Sequence, residues 1–153
     1  MKKILLVLIF SIGMIYTSQA QEVKGIPFSR DVAQLGDGWH KFQAQGASFD
    51  VEVIGGRLVQ GNVTWLDGTK YSGSLANNYI TGRGTYTWPN GTRYEGSFKK
   101  SERSGKGSMY EKDGTKWSGK WKNNEKNGKG KIFDKDGNLV SKGVWENNEL
   151  VEK

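Results

Sequence analysis

Four turn dipeptides, Asp67-Gly68, Asn90-Gly91, Asp113-Gly114 and Asp136-Gly137, stand 23 residues apart, and this period constrains the chain more than any other feature. A fixed period of this length marks a repeat architecture, in which each unit buries its apolar surface mainly against its neighbours. Two further series keep the same step. Gly82 and Gly84, Gly105 and Gly107, and Gly128 and Gly130 form one. The other is Tyr71-x-Gly73-x-Leu75, Tyr94-x-Gly96-x-Phe98 and Trp117-x-Gly119-x-Trp121. The last copy slips by one residue and ends at Gly143-x-Trp145, and an Asn-Asn-Glu run at 123–125 and 147–149 slips with it.

Each unit reads as two strands. Tyr94 to Phe98 is the first, a polar loop of about six residues follows, and the second runs from Gly105 to Tyr110. The Asx-Gly turn then leads to the next unit, because such a pair accepts the positive φ a hairpin turn needs. No window holds a helical period. The expected fold is all-β, a single-layer antiparallel meander of tandem hairpins.

Side chains alternate faces along a strand. One face collects Tyr71, Gly73 and Leu75, then Tyr94, Gly96 and Phe98, then Trp117, Gly119 and Trp121. Glycine weakens a strand unless something needs the space it leaves. An aromatic ring from a neighbouring strand, laid over each glycine, supplies that need. Such a face forms a core without a second sheet, although only 35% of the residues are hydrophobic.

Tyr94-Glu95-Gly96-Ser97-Phe98, followed by Gly105-Lys106-Gly107 and Asp113-Gly114, resembles a MORN repeat. Three units match well, 71–93, 94–116 and 117–139, and a partial one ends the chain at 140–150. Phe49 to Gly68 looks like a degraded unit that keeps Gly61, Trp65, Asp67 and Gly68. The array is therefore expected over 49–150, with residues 21–48 as an N-terminal segment capping the open end of the sheet through Trp39 and Phe42. The resemblance implies a non-catalytic scaffold, often membrane-associated, with acidic phospholipid, protein partners or self-association as its interactions.

Residues 1–20 have a different character. Lys2 and Lys3 precede an apolar run from Ile4 to Tyr16, and Thr17-Ser18-Gln19-Ala20 offers small residues at the −3 and −1 positions of a cut. That is the layout of a secretory signal peptide cleaved after Ala20, so the mature protein is expected in the periplasm or secreted from a bacterial cell. The apolar run is short for a membrane span. With no cysteine in the chain, disulfides, Cys-based metal sites and Cys redox chemistry are excluded.

Little in the sequence supports catalysis. His40 is the only histidine and lies outside the repeats. Asp113 and Asp136 sit in turns, where Asp has its own backbone role. The Gly-x-Gly motifs lie in strands and precede no Lys-Ser/Thr, so they are not phosphate loops. Asp134-x-Asp136-Gly137 lacks the rest of a calcium loop. The sequence thus points to a protein that is not an enzyme, with no cofactor and no metal.

The charge pattern is more informative. Residues 93–131 hold 12 basic and 5 acidic side chains, net +7, whereas 21–92 balance at six each. Lys70, Arg93 and Lys116 recur every 23 residues, and so do Arg83, Lys106 and Lys129. These six form two expected columns on the polar face, with Ser72, Ser74, Ser97, Ser108 and Ser118 between them. Such columns fit either a solvated face that keeps the array soluble and discourages edge pairing or an anionic partner, which in an exported protein means acidic lipid or envelope polymer, not nucleic acid. Carbohydrate or cell-wall binding is the competing expectation, because aromatic-glycine hairpins also build sugar cages. It requires solvent-exposed rings at Trp117, Trp121 and Trp145.

Overall fold

The computed structural model describes residues 22–27, 34–76 and 79–153; the expected signal peptide, 1–20, lies outside them. The described chain forms one open sheet of eleven strands in sequence order, each antiparallel to the next. The strands are β1 (Gly38–Ala44), β2 (Ala47–Ile54), β3 (Arg57–Trp65), β4 (Lys70–Ala76), β5 (Tyr79–Thr87), β6 (Arg93–Lys99), β7 (Glu102–Tyr110), β8 (Lys116–Lys122), β9 (Glu125–Phe133), β10 (Leu139–Glu146) and β11 (Glu149–Glu152). The single-layer meander read from the sequence is the architecture found.

Two expectations need correction. The turns exchange roles. The presumed six-residue polar loop is a two-residue turn: Lys100 and Ser101 take φ of 50° and 63°, Asn123 and Asn124 of 49° and 68°, Asn147 and Asn148 of 48° and 72°. Both central residues at positive φ make a type I′ turn, whose twist matches the flanking strands. The Asx-Gly connection is instead the longer one. Gly114 N–H bonds Glu111 O at 3.0 Å, Asp113 accepts from Thr115 N–H at 2.9 Å, and only the glycine, at φ 89°, has positive φ. The sheet also begins earlier than expected. Residues 38–48 do not cap it; β1 and the start of β2 extend it, with Phe42 stacked on Phe49 at 4.7 Å and Trp39 exposed.

The two glycines of each Gly-x-Gly do different work. Gly82, Gly105 and Gly128 sit where the hairpin register shifts, at φ of 58°, 87° and 110°, so they are bulge glycines. Gly84, Gly107 and Gly130 lie under rings: a Cβ on them would strike Tyr71, Tyr94 and Trp117 respectively. Their cross-strand partners Gly73, Gly96 and Gly119 complete the seat. A Cβ at Gly96 would come 2.5 Å from Gly107 Cα and 2.6 Å from Tyr94 Oη. In the degraded unit Val51 packs over Gly61 in place of a ring.

The rings so seated form a continuous ladder. Tyr71–Phe98, Phe98–Tyr94, Tyr94–Trp121, Trp121–Trp117 and Trp117–Trp145 meet edge-to-face, with centroids 5.0–5.7 Å apart and planes 80–87° apart. Each pair contributes about 0.5–1.5 kcal/mol beyond the area it buries. Residues 22–27 cross the same face at the first units. Val23 and Ile26 are buried there, Lys24 N–H donates to Tyr86 Oη at 3.0 Å, and Trp88 Nε1 donates to Glu22 O at 3.2 Å.

Candidate functional site

The polar face is opposite the ladder, and the strand register arranges it in rows across the sheet. One row runs Lys70, Thr87, Arg93, Tyr110, Lys116 and Phe133, each the cross-strand partner of the next. The next runs Ser72, Thr85, Glu95, Ser108, Ser118, Lys131 and Lys142. In the third, Arg83 faces Ser97, Lys106 faces Lys120, and Lys129 faces Val144. All six basic residues named from the sequence therefore share this face.

The two columns are not equivalent. The column of Lys70, Arg93 and Lys116 is interleaved with aromatic residues. The Arg93 guanidinium lies 4.4 Å from the centre of the Tyr110 ring, and Lys116 Nζ lies 4.2 Å from that of Phe133. Arg93 Nε also lies 3.0 Å from Glu95 Oε1, too poorly aligned for a hydrogen bond, so the contact is an ion pair. Two of this column's three charges are thus engaged within the protein. Arg83, Lys106 and Lys129 stand exposed.

The register also adds cations that the period did not show. Lys120 and Lys131 occupy positions filled by Ser97 and Ser108 one unit earlier, so no column search finds them. Lys142 follows the one-residue slip. The exposed Lys120 runs its stem over Gly128, where a Cβ would come within 3.2 Å of it. The N-terminal part of the face is balanced by contrast: Lys41 pairs with Asp50 at 3.2 Å, and Gln60 bonds Glu52 at 2.7 Å.

The apolar face carries two cations of another kind. Arg103 is 4% exposed, 4.7 Å from the Trp121 ring centre, and donates from Nη2 to Asn124 O at 2.8 Å. Burial brings its pKa down to about 10, and its Nη1 has no hydrogen-bond partner among the described residues. Lys126 follows it one period later, 5.4 Å from the Trp117 ring centre, with its pKa lowered by the same desolvation. Trp117, Trp121 and Trp145 are only 3–4% exposed, so none presents a ring face to solvent. His40 hydrogen-bonds the Gly36 carbonyl at 2.7 Å. Among the described residues no three His, Asp or Glu side chains are placed to hold a metal ion.

An open single sheet, with one face locked by an aromatic ladder and the other free, defines a tandem hairpin-repeat protein built to present a surface. The model of the MORN repeat matches residues 71–93, 94–116 and 117–139, the same three units that the ladder and glycine seats delimit, and the chain belongs to the MORN-repeat family. MORN repeats are binding and scaffolding modules, typically non-catalytic, that mediate contacts with proteins or membrane lipids. No curated protein matches the chain.

Proposed function

We propose that this protein is a non-catalytic binding module of the bacterial cell envelope, exported by cleavage after Ala20 and held against an anionic surface by the polar face of its repeats. The observation that carries the reading is the gathering of Lys70, Arg83, Arg93, Lys106, Lys116 and Lys129 on one face, with Glu95 as the main acid among them. Each exposed cation near an anionic membrane contributes on the order of 1 kcal/mol, so several acting together give usable affinity. The competing sugar-cage reading needs solvent-facing tryptophans, and the burial of Trp117, Trp121 and Trp145 weighs against it.

Co-sedimentation with acidic and neutral vesicles tests the reading. Binding to acidic vesicles is expected at low salt, falling as ionic strength passes roughly 0.15 M. Charge reversal of Lys106 and Lys129 to Glu should abolish it, while reversal of Lys112, in the β7–β8 turn, should not. Lys24 and Lys41 make poor controls because each is already paired, with Asp67 and Asp50. A wild-type protein that ignores every acidic surface at low salt would leave the polar face as mere solvation.

A further inference from the structure

The cations of the polar face are crowded onto β7–β10. Lys106 and Lys120 are direct cross-strand partners, and so are Lys131 and Lys142. Lys129 lies on β9 two residues from Lys131, on the same face. Like charges directly opposite each other in a sheet destabilise it. None of the ion pairs among the described residues involves any of these five lysines. Units with serine at the positions of Lys120 and Lys131 show that the fold itself does not require a cation there. The arrangement therefore carries a repulsion that an anionic ligand would relieve.

We propose that Lys106, Lys120, Lys129, Lys131 and Lys142 form a binding site for a linear acidic polysaccharide running across strands β7 to β10; this rests on the envelope-surface reading and specifies its ligand. Three features select that ligand. First, Lys106 and Lys120 lie across one row and Lys131 and Lys142 across the next, with Lys129 on the strand beside Lys131, so the five form a narrow band over four adjacent strands about 4.8 Å apart that a linear polymer can follow. Second, the cluster contains no arginine, so it offers charge at intervals and not the bidentate fork that selects individual phosphates. Third, the neighbouring rows supply saccharide chemistry. Ser108 and Ser118 present hydroxyls, hydrogen-bonded to each other at 2.8 Å, and Tyr110 and Phe133 lie half-buried beside them. Lys116 and Arg93 already hold those two rings in place. Carboxylates of the polymer fall on the lysine band and its hydroxyls on the serine row.

The test uses the mature protein, titrated by calorimetry with polygalacturonate, neutral dextran, inorganic polyphosphate and phosphatidylglycerol vesicles. Polygalacturonate should bind, dextran should not, and polyphosphate should bind more weakly. The Lys120→Ser/Lys131→Ser variant, which restores the residues of the preceding unit, should bind polygalacturonate roughly tenfold more weakly. It should also melt at a higher temperature, because the repulsion is gone. A Lys112→Ser/Lys135→Ser variant, which removes two exposed cations from the β7–β8 and β9–β10 turns, should keep wild-type affinity. Equal losses from both variants would overturn the localised site and leave general attraction to an anionic envelope surface standing. Vesicle binding without polygalacturonate binding would overturn the ligand and leave the envelope reading standing, and polyphosphate binding tighter than polygalacturonate would overturn the saccharide choice. A lower melting temperature for the serine variant would make these lysines structural. Binding to no anionic probe would remove both proposals together.

Discussion

Asn124, through its side chain and its N–H, clasps the backbone of Arg103 across two successive hairpins. Asn124 Oδ1 accepts from Arg103 N–H at 2.9 Å, and Asn124 N–H donates to Arg103 O at 3.1 Å. The same reciprocal clasp joins Ser101 to Ile80, at 3.1 and 2.8 Å, and Asn148 to Lys126, at 2.9 and 3.1 Å. Each clasp ties the second residue of a type I′ turn to the previous hairpin, one period back or nearly so. This accounts for the recurrence of Asn-Asn-Glu. The residue must tolerate positive φ and carry a short side-chain acceptor, and asparagine satisfies both.

Asn124→Ala should therefore lose two things, the backbone conformation and the acceptor for a partly buried N–H. The expected cost is about 1–3 kcal/mol, the usual penalty for orphaning such a donor. Asn124→Gly should recover the φ component alone and fall between Ala and wild type. Thermal melts of the three proteins check the order; equal stability of Gly and wild type would show that the side-chain bond contributes nothing.

The glycine seats make a sharper prediction. Gly96 has extended backbone and no conformational need for glycine, so its role is spatial. Gly96→Val should be destabilising by at least about 1–3 kcal/mol, because the added atoms meet both the Gly107 backbone and the Tyr94 ring. Ser97→Val, one residue on and on the polar face, should cost much less. Matching melting temperatures would contradict the assignment of faces.

The fold was legible because two independent patterns agreed, the 23-residue period and the alternation that put glycines and rings on one face. The turns were misread because an Asp-Gly pair looks the same whether the aspartate turns at positive φ or, as Asp113 does, only accepts from Thr115 N–H while Gly114 takes the φ. The strand status of residues 38–48 was hidden for another reason: they lack the repeat's glycines, and their pairing partners are visible only in space. Of the polar face, the repeating cations were readable and Lys120, Lys131 and Lys142 were not, since a site made by departing from a repeat is invisible to a search for its period.

Acid should loosen the N-terminal segment before it melts the sheet. Lys24 donates to the Asp67 carboxylate, and this contact, helped by the Thr69 N–H, takes the Asp67 pKa from 3.8 to about 2. A carboxylate with a folded pKa below its unfolded one stabilises fully above the unfolded value and ceases to as pH falls through the folded value. The window is therefore about pH 4 to 2. Limited proteolysis of residues 22–27 by pepsin, which is active in acid, should accelerate across that window in the wild type. In Asp67→Asn the cleavage should be fast and nearly flat with pH. Asp113 and Asp134, whose pKa values are lowered by Thr115 and Asn138, lie in other turns and serve as the reason a mutant control is needed.

Arg103 offers the last test, because it is a buried cation with no carboxylate against it among the described ion pairs. Ile80 fills the equivalent position one period earlier and is fully buried, so the fold accepts an apolar side chain there. Two effects oppose each other on removing the guanidinium. Its desolvation cost is relieved, as the fall of its pKa to about 10 indicates, while its stacking on Trp121 and its Nη2 bond to Asn124 O are lost. The backbone clasp survives any side-chain change. A buried charge replaced by an apolar group of similar shape is commonly neutral or stabilising. Arg103→Met, which keeps an unbranched chain beside the tryptophans, should accordingly leave stability unchanged or raise it by about 1 kcal/mol. Arg103→Ala leaves a cavity in the ladder and should lose about 2–4 kcal/mol. Urea denaturation of the two variants separates the effects: if Met is as damaging as Ala, the hydrogen bond and the stacking outweigh desolvation, and the guanidinium is a structural part of the ladder in its own right.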